Sequence, residues 1–144
     1  MRSARVFLAV MAGVLGCYAI PFLARPDLLG RLVDWDYRGP NAYAEVRAYY
    51  GGLELGLALF FAGAALHPPA VRTALVAFAL CFGCAGLARG WGMAEFGLSG
   101  PTQPAAAAVE VVTAGLAVWL ARRLPPGGAP GGRVEPPPGE RCPQ

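Results

Sequence analysis

Residues 46–66 read VRAYYGGLELGLALFFAGAAL. From Tyr49 to Leu66 the run is 18 residues long, and its one charge is a carboxylate, Glu54, beside the pair Gly51-Gly52. A helix needs about 20 residues to cross a bilayer, with roughly 17 at the lower end, so the stretch reads as a membrane span carrying a charge. Three more apolar runs flank it: Val6 to Leu23, Thr73 to Ala88 and Ala105 to Ala121. The third of the four runs reaches span length when Arg89, Gly90 and Trp91 continue its helix.

Composition agrees with a membrane chain. The 144 residues are 56% hydrophobic and 15% charged, whereas globular chains carry about 25% charged residues. The expected fold is all-α: an integral membrane four-helix transmembrane bundle over residues 1–123, with spans near 6–23, 49–66, 73–91 and 105–121. Residues 124–144, LPPGGAPGGRVEPPPGERCPQ, contain seven prolines and five glycines. Such a tail cannot bury a core and is expected to be disordered, with Cys142 incidental to function.

The net charge of +3 does not indicate nucleic acid, because the arginines are scattered rather than clustered. Arg2 and Arg5 precede the first span, Arg72 lies between the second and third, and Arg122 and Arg123 close the fourth. Positive charge collects on the cytoplasmic side of membrane proteins, which places both termini in the cytoplasm of a bacterial inner (cell) membrane. The opposite loops also hold arginines, so the orientation rests mainly on the terminal pairs. The start, MRSARVFLAVMAGVLGCYA, can also be read as a secretory signal. Its apolar run, however, continues past Cys17 to Leu23, which favours a first span.

Between the first two spans, Leu28, Leu29, Leu32, Val33 and Trp35 form an apolar side behind Pro26 and Asp27. A short interfacial helix fits, with Trp35 and Tyr37 at headgroup level and Gly39-Pro40 ending it. An ordered capping loop is the alternative. The turn His67-Pro68-Pro69-Ala70 forces antiparallel neighbours. His67, the single histidine, has no ligating companion nearby and reads as a turn residue, so no metal and no cofactor are expected.

Helical spacing groups the charges. Arg47, Tyr50, Gly51 and Glu54 recur at three- and four-residue intervals and share one face. Glu110 has Ala106, Ala107, Thr113, Ala114 and Ala117 around it, and Arg89 has Ala85, Gly86, Gly92 and Met93. Such small-residue faces pack on protein rather than lipid. With a rise of about 1.5 Å per residue and a hydrocarbon core near 30 Å, Glu54 and Glu110 lie about 10 and 9 Å inside one surface, and Arg89 about 6 Å below it. A charge at the membrane centre costs roughly 2.5–3.5 kcal/mol on insertion scales, so the two acids need a cation. Arg89 is the natural partner, because its planar fork can bridge two carboxylates.

Two readings stand. In the first, Arg47, Tyr50, Glu54, Arg89 and Glu110 form a buried site near the outer surface for a lipid or small molecule, with the arginines holding an anionic or carbonyl group and a carboxylate moving a proton. In the second, the charges are a structural ion-pair knot in an accessory or assembly subunit. Gly52 with Gly56, and Gly86 with Gly90, make G-x-x-x-G pairs that offer an oligomer or partner interface. The pair Cys81-x-x-Cys84 lies near the bilayer middle, without a helix N-terminus or base to activate a thiol, and reads as two small core residues.

The segment Asn41 to Leu57, NAYAEVRAYYGGLELGL, resembles a bacterial membrane family known as domain-of-unknown-function family 4345. Asn41, Glu45, Arg47, Tyr50, Gly51 and Gly52 match its N-x-x-x-E-x-R-x-x-Y-G-G pattern, and Arg89-Gly90 and Glu110 are similar to later positions. The likeness covers roughly residues 5 to 122. It implies the four-span fold and membrane location, and no activity. A fainter similarity to DoxX-like four-helix proteins rests on architecture alone.

Overall fold

The computed structural model describes residues 1–33, 39–97 and 100–125. Trp35, Tyr37, and the tail from residue 126 onward with Cys142 lie outside the described residues. Among the described residues the fold is all-helical, and four helices are long and apolar enough to cross a membrane: Arg2–Ala24, Pro40–Leu66, Pro68–Phe96 and Thr102–Arg123. Each extends past the apolar run that marks it in the sequence.

The first long helix, α1, covers Arg2–Ala24 and ends just ahead of Pro26, whose ring disfavours helical backbone in the residue before it. A short helix, α2, follows over Leu28–Val33. Beside it, the side chain of Arg25 grips Asp27 at 2.9 Å and holds that carboxyl below its usual range. Gly39-Pro40, expected to close this helix, instead opens the next one. Pro40 takes the first turn of α3 (Pro40–Val46), where its missing N–H leaves nothing unsatisfied.

The second long helix is not uniform. Between α3 and α4 (Glu54–Leu66) the backbone forms a seven-residue π-helical segment, Arg47–Leu53. Its i→i+5 bonding widens the turn, so each residue advances through a smaller angle than in an α-helix. That corrects the expected shared face: Tyr50 and Glu54 are half-buried and Gly51 is buried, whereas Arg47 is rotated out and exposed. After a one-turn 3-10 helix at Pro68–Ala70 come α5 (Val71–Phe96) and α6 (Thr102–Arg123). Gly97 ends α5 with a φ of +86°, a left-handed conformation that favours glycine.

Packing pairs α1 with α4 and α5 with α6, as two antiparallel hairpins laid together. Close backbone approach at one glycine in each hairpin makes this possible. A Cβ on Gly51 would stand 2.7 Å from the Leu23 side chain and 3.2 Å from its backbone nitrogen. A Cβ on Gly86 would stand 2.9 Å from Val111 Cγ2 and 3.1 Å from Glu110 Cβ. Gly86 is therefore occupied by α6 of its own chain, while a Cβ on Gly56 or Gly90 would meet nothing within 4 Å.

The larger apolar cluster fills the end of the bundle near the N-terminus. Phe78 of α5 is its hub, with ring centroids 5.2 Å from Phe7, 5.3 Å from Phe61 and 4.3 Å from Phe82. A smaller cluster of Phe22, Leu29 and Val46 sits toward the other end. Large apolar side chains such as Val10, Leu59, Leu80, Leu87 and Val112 point outward, the inverse of a water-soluble domain and suited to lipid contact. Cys81 and Cys84 are free and belong to this exposed surface, not to the core, because Phe78, Phe82 and Gly83 take the inward positions of that stretch.

Two arginines near the N-terminal end close the helix ends. Arg5 Nε donates to the Ala65 carbonyl at 2.6 Å, and Arg72 Nη1 donates to those of Leu124 and Pro125 at 3.4 and 3.3 Å. These are last-turn or following carbonyls of α4 and α6, which the helix itself leaves unbonded. Replacing Gly51 by valine is expected to lower stability by about 1–3 kcal/mol through overpacking against Leu23. Gly56→Ala, with open space for its methyl, is expected to raise stability by about 0.5–1 kcal/mol. Thermal unfolding in detergent, followed by circular dichroism, checks both.

Candidate functional site

Between the two apolar clusters lies a polar layer to which every long helix contributes. Tyr18 comes from α1, Tyr50 and Glu54 from the second long helix, Arg89 from α5, and Glu110 and Gln103 from α6. Tyr18 has Tyr50, Glu54, Arg89 and Glu110 as its ionisable neighbours, which groups these side chains in one layer. Its ring packs 4.8 Å from Phe22, and Phe22 packs 6.2 Å from Tyr50, so an aromatic ladder carries the layer into the smaller cluster.

The centre of the layer is Arg89. Its Nη2 and Nε donate to the two carboxylate oxygens of Glu110 at 2.8 and 3.1 Å. Its Nη1 donates to Gln103 Oε1 at 2.5 Å. A bidentate, charge-assisted pair of this kind is both stronger and more directional than a single contact. Gly86, one turn before Arg89, lets α6 approach closely enough for the fork to reach.

This arrangement departs from expectation in three ways. Arg89 does not bridge two acids: Glu110 and Gln103 take all three of its nitrogens. Glu54 consequently has no cationic partner among the described residues, and its Oε2 is enclosed without a hydrogen-bond partner. Arg47, expected to mark the mouth of the cluster, is exposed and joins none of these bonds.

Burial is also shallower than expected. Among the described residues no charged side chain is fully buried; Arg89 is 33% and Glu110 15% exposed. The small flanking residues that let the backbones close leave little side chain to cover the charged heads. A cavity of about 430 Å³ remains beside Arg89, lined by Ala85, Gly92, Met93, Gly97 and Gln103.

A second cavity, of about 660 Å³, opens on the π-helical side. Ala42, Glu45, Val46, Tyr49, Tyr50, Leu53 and Glu54 line it. Of the five site residues expected from sequence, Tyr50, Glu54, Arg89 and Glu110 thus share one layer. Tyr18 and Gln103 were missed. Gln103 precedes Glu110 by seven residues, two helical turns, and that spacing was a readable signal. Tyr18 offered only its hydroxyl at the right end of α1.

Among the described residues no group of three His, Cys, Asp or Glu side chains is placed to hold a metal ion. Arg89→Lys keeps the charge but loses the fork, and is expected to destabilise the protein by about 1–3 kcal/mol, as is Glu110→Gln. The double variant should cost less than the sum of the two, because both single changes break the same contact. Unfolding midpoints of the four proteins in one detergent check this.

Comparison with known proteins agrees with the layout. No curated protein and no solved structure matches the chain. A family described as a domain of unknown function, DUF4345, matches residues 3–121, a stretch that takes in nearly all of the four long helices and every member of the polar layer. The chain belongs to the DUF4345 family.

Proposed function

We propose that this multi-pass membrane protein binds a lipid or small molecule at the polar layer. The observation that carries the reading is Glu54: an acid whose Oε2 has no partner, on the wall of a cavity of about 660 Å³. An unpaired polar atom in an apolar setting costs roughly 1–3 kcal/mol or more, and a ligand that satisfies it recovers that cost. The volume lies within the range of about 300–1,000 Å³ typical of small-molecule sites. Because Arg89 is engaged by Glu110 and Gln103 and lies outside the wall of this cavity, the binding group is Glu54, with Tyr50 beside it.

The setting we propose is a bacterial inner membrane with both termini cytoplasmic. Arg5 and Arg72 cap helix ends at one end of the bundle, where Arg2, Arg122 and Arg123 also lie, and this collection of positive charge supports that end as the cytoplasmic one. The polar layer is displaced toward the other end, near the outer surface.

A second reading is an accessory subunit that docks another membrane protein. Its support is the open space over Gly56 and Gly90, where a neighbouring helix could approach.

Native mass spectrometry of protein purified in mild detergent separates the two. Under the binding reading the wild type carries a bound molecule, Glu54→Gln releases it while remaining helical, and Glu110→Gln melts earlier. A wild type that carries nothing, with both variants simply unfolding, would sink it.

A further inference from the structure

We propose that the ligand of the Glu54 cavity is a lipophilic cation: an ammonium group carried on an apolar body. This rests on the binding reading above and reverses the expectation that arginines would hold an anion there. The charges on the cavity wall are the first reason. Among the described lining residues the side chains of acid or base type are Glu45 and Glu54, both acids. Neither Arg47 nor Arg89 is in that wall. Arg89 faces the other cavity and is chelated by Glu110 and Gln103. An anion entering here would meet two like charges, and in a medium of low dielectric that repulsion is severe.

The second reason is the orphan atom. A carboxylate oxygen can only accept hydrogen bonds, so the enclosed Oε2 of Glu54 calls for a donor. An ammonium group supplies a donor and the opposite charge together. A bare metal ion does not suit the same place, because no set of three ligating side chains surrounds it among the described residues.

The third reason is the remaining wall. Tyr49 and Tyr50 present aromatic rings, whose faces attract cations. Tyr50 is held by its contact with Phe22, so that ring is set before a ligand arrives. Ala42, Val46 and Leu53 complete a lining suited to an alkyl or aryl body. Two acids, two rings and aliphatic groups in one wall describe a site for an amphiphilic amine.

The same ammonium chemistry could be the headgroup of a phosphatidylethanolamine lipid or a free lipophilic amine. Dodecylammonium serves as the probe, titrated by calorimetry into the full-length protein in non-ionic detergent, with dodecanol as the uncharged control. The wild type should bind the amine at least about tenfold more tightly than the alcohol, and Glu54→Gln should lose that preference. Tyr49→Leu, an exposed position that leaves Glu54 untouched, should weaken amine binding about two- to fivefold more than it weakens alcohol binding. It carries the test if Glu54→Gln does not fold. Phosphatidylethanolamine added to the micelles displaces the probe if the headgroup is the natural occupant, and fails to if a free amine is.

Equal affinity for amine and alcohol, or a preference that survives Glu54→Gln, overturns the cation proposal while leaving a binding site in place. A wild type that binds neither probe and carries no molecule in native mass spectrometry overturns the binding reading itself.

Discussion

The guanidinium of Arg89 is held on three nitrogens, two by Glu110 and one by Gln103. A cation this far along an apolar helix must be neutralised, and α6 supplies the carboxylate that does so together with a third acceptor in Gln103. The pairing locks α5 to α6 in one register, because the fork accepts the carboxylate in a narrow range of positions. It also decides the chemistry of the facing hairpin. With Arg89 turned to Glu110 and Gln103, Glu54 has no cation within the described structure, and its carboxyl group is the unpartnered acid of the layer.

Small residues make that arrangement reachable. Gly86 brings α6 against α5 beside Glu110, and Gly51 brings α1 against the second long helix at Leu23. The π-helical segment then turns Arg47 outward and leaves Tyr50 and Glu54 inward. A regular α-helix over the same residues would have set Arg47 on the Glu54 face as a competing partner. Segments of this kind occur often at functional sites, where a wider turn re-aims side chains at the cost of weaker regular bonding. Here the segment sits in the wall of the cavity of about 660 Å³, and the aromatic hub around Phe78 fills the core toward the opposite end of the bundle.

Much of the site was readable from spacing. Helical rise alone sets Glu54, Arg89 and Glu110 at similar heights along their helices, and Arg89 does bond Glu110. Their pairing was not readable, because two acids on two helices were equally placed to claim Arg89. Gln103, a neutral side chain that shares the fork, removed the option of bridging both. Cys81 and Cys84 show the same limit: small size suggests a core position, yet Phe78 and Phe82 occupy it and the thiols face outward. The end of the short helix was misjudged for a local reason, since Gly39-Pro40 suits a helix start as well as a stop.

Taken by itself, the sequence determined four long apolar helices and the tight turn at residues 67–70. Those features depend on local rules: backbone groups in an apolar medium bond within their own helix, and position along a helix scales with residue number. Tertiary structure alone decided which acid holds Arg89, that Arg47 stands apart, and that Glu54 faces a cavity unpaired. Partner choice depends on how closely separate helices approach and how each is rotated, and these were set by two glycine contacts and one widened turn acting between distant parts of the chain.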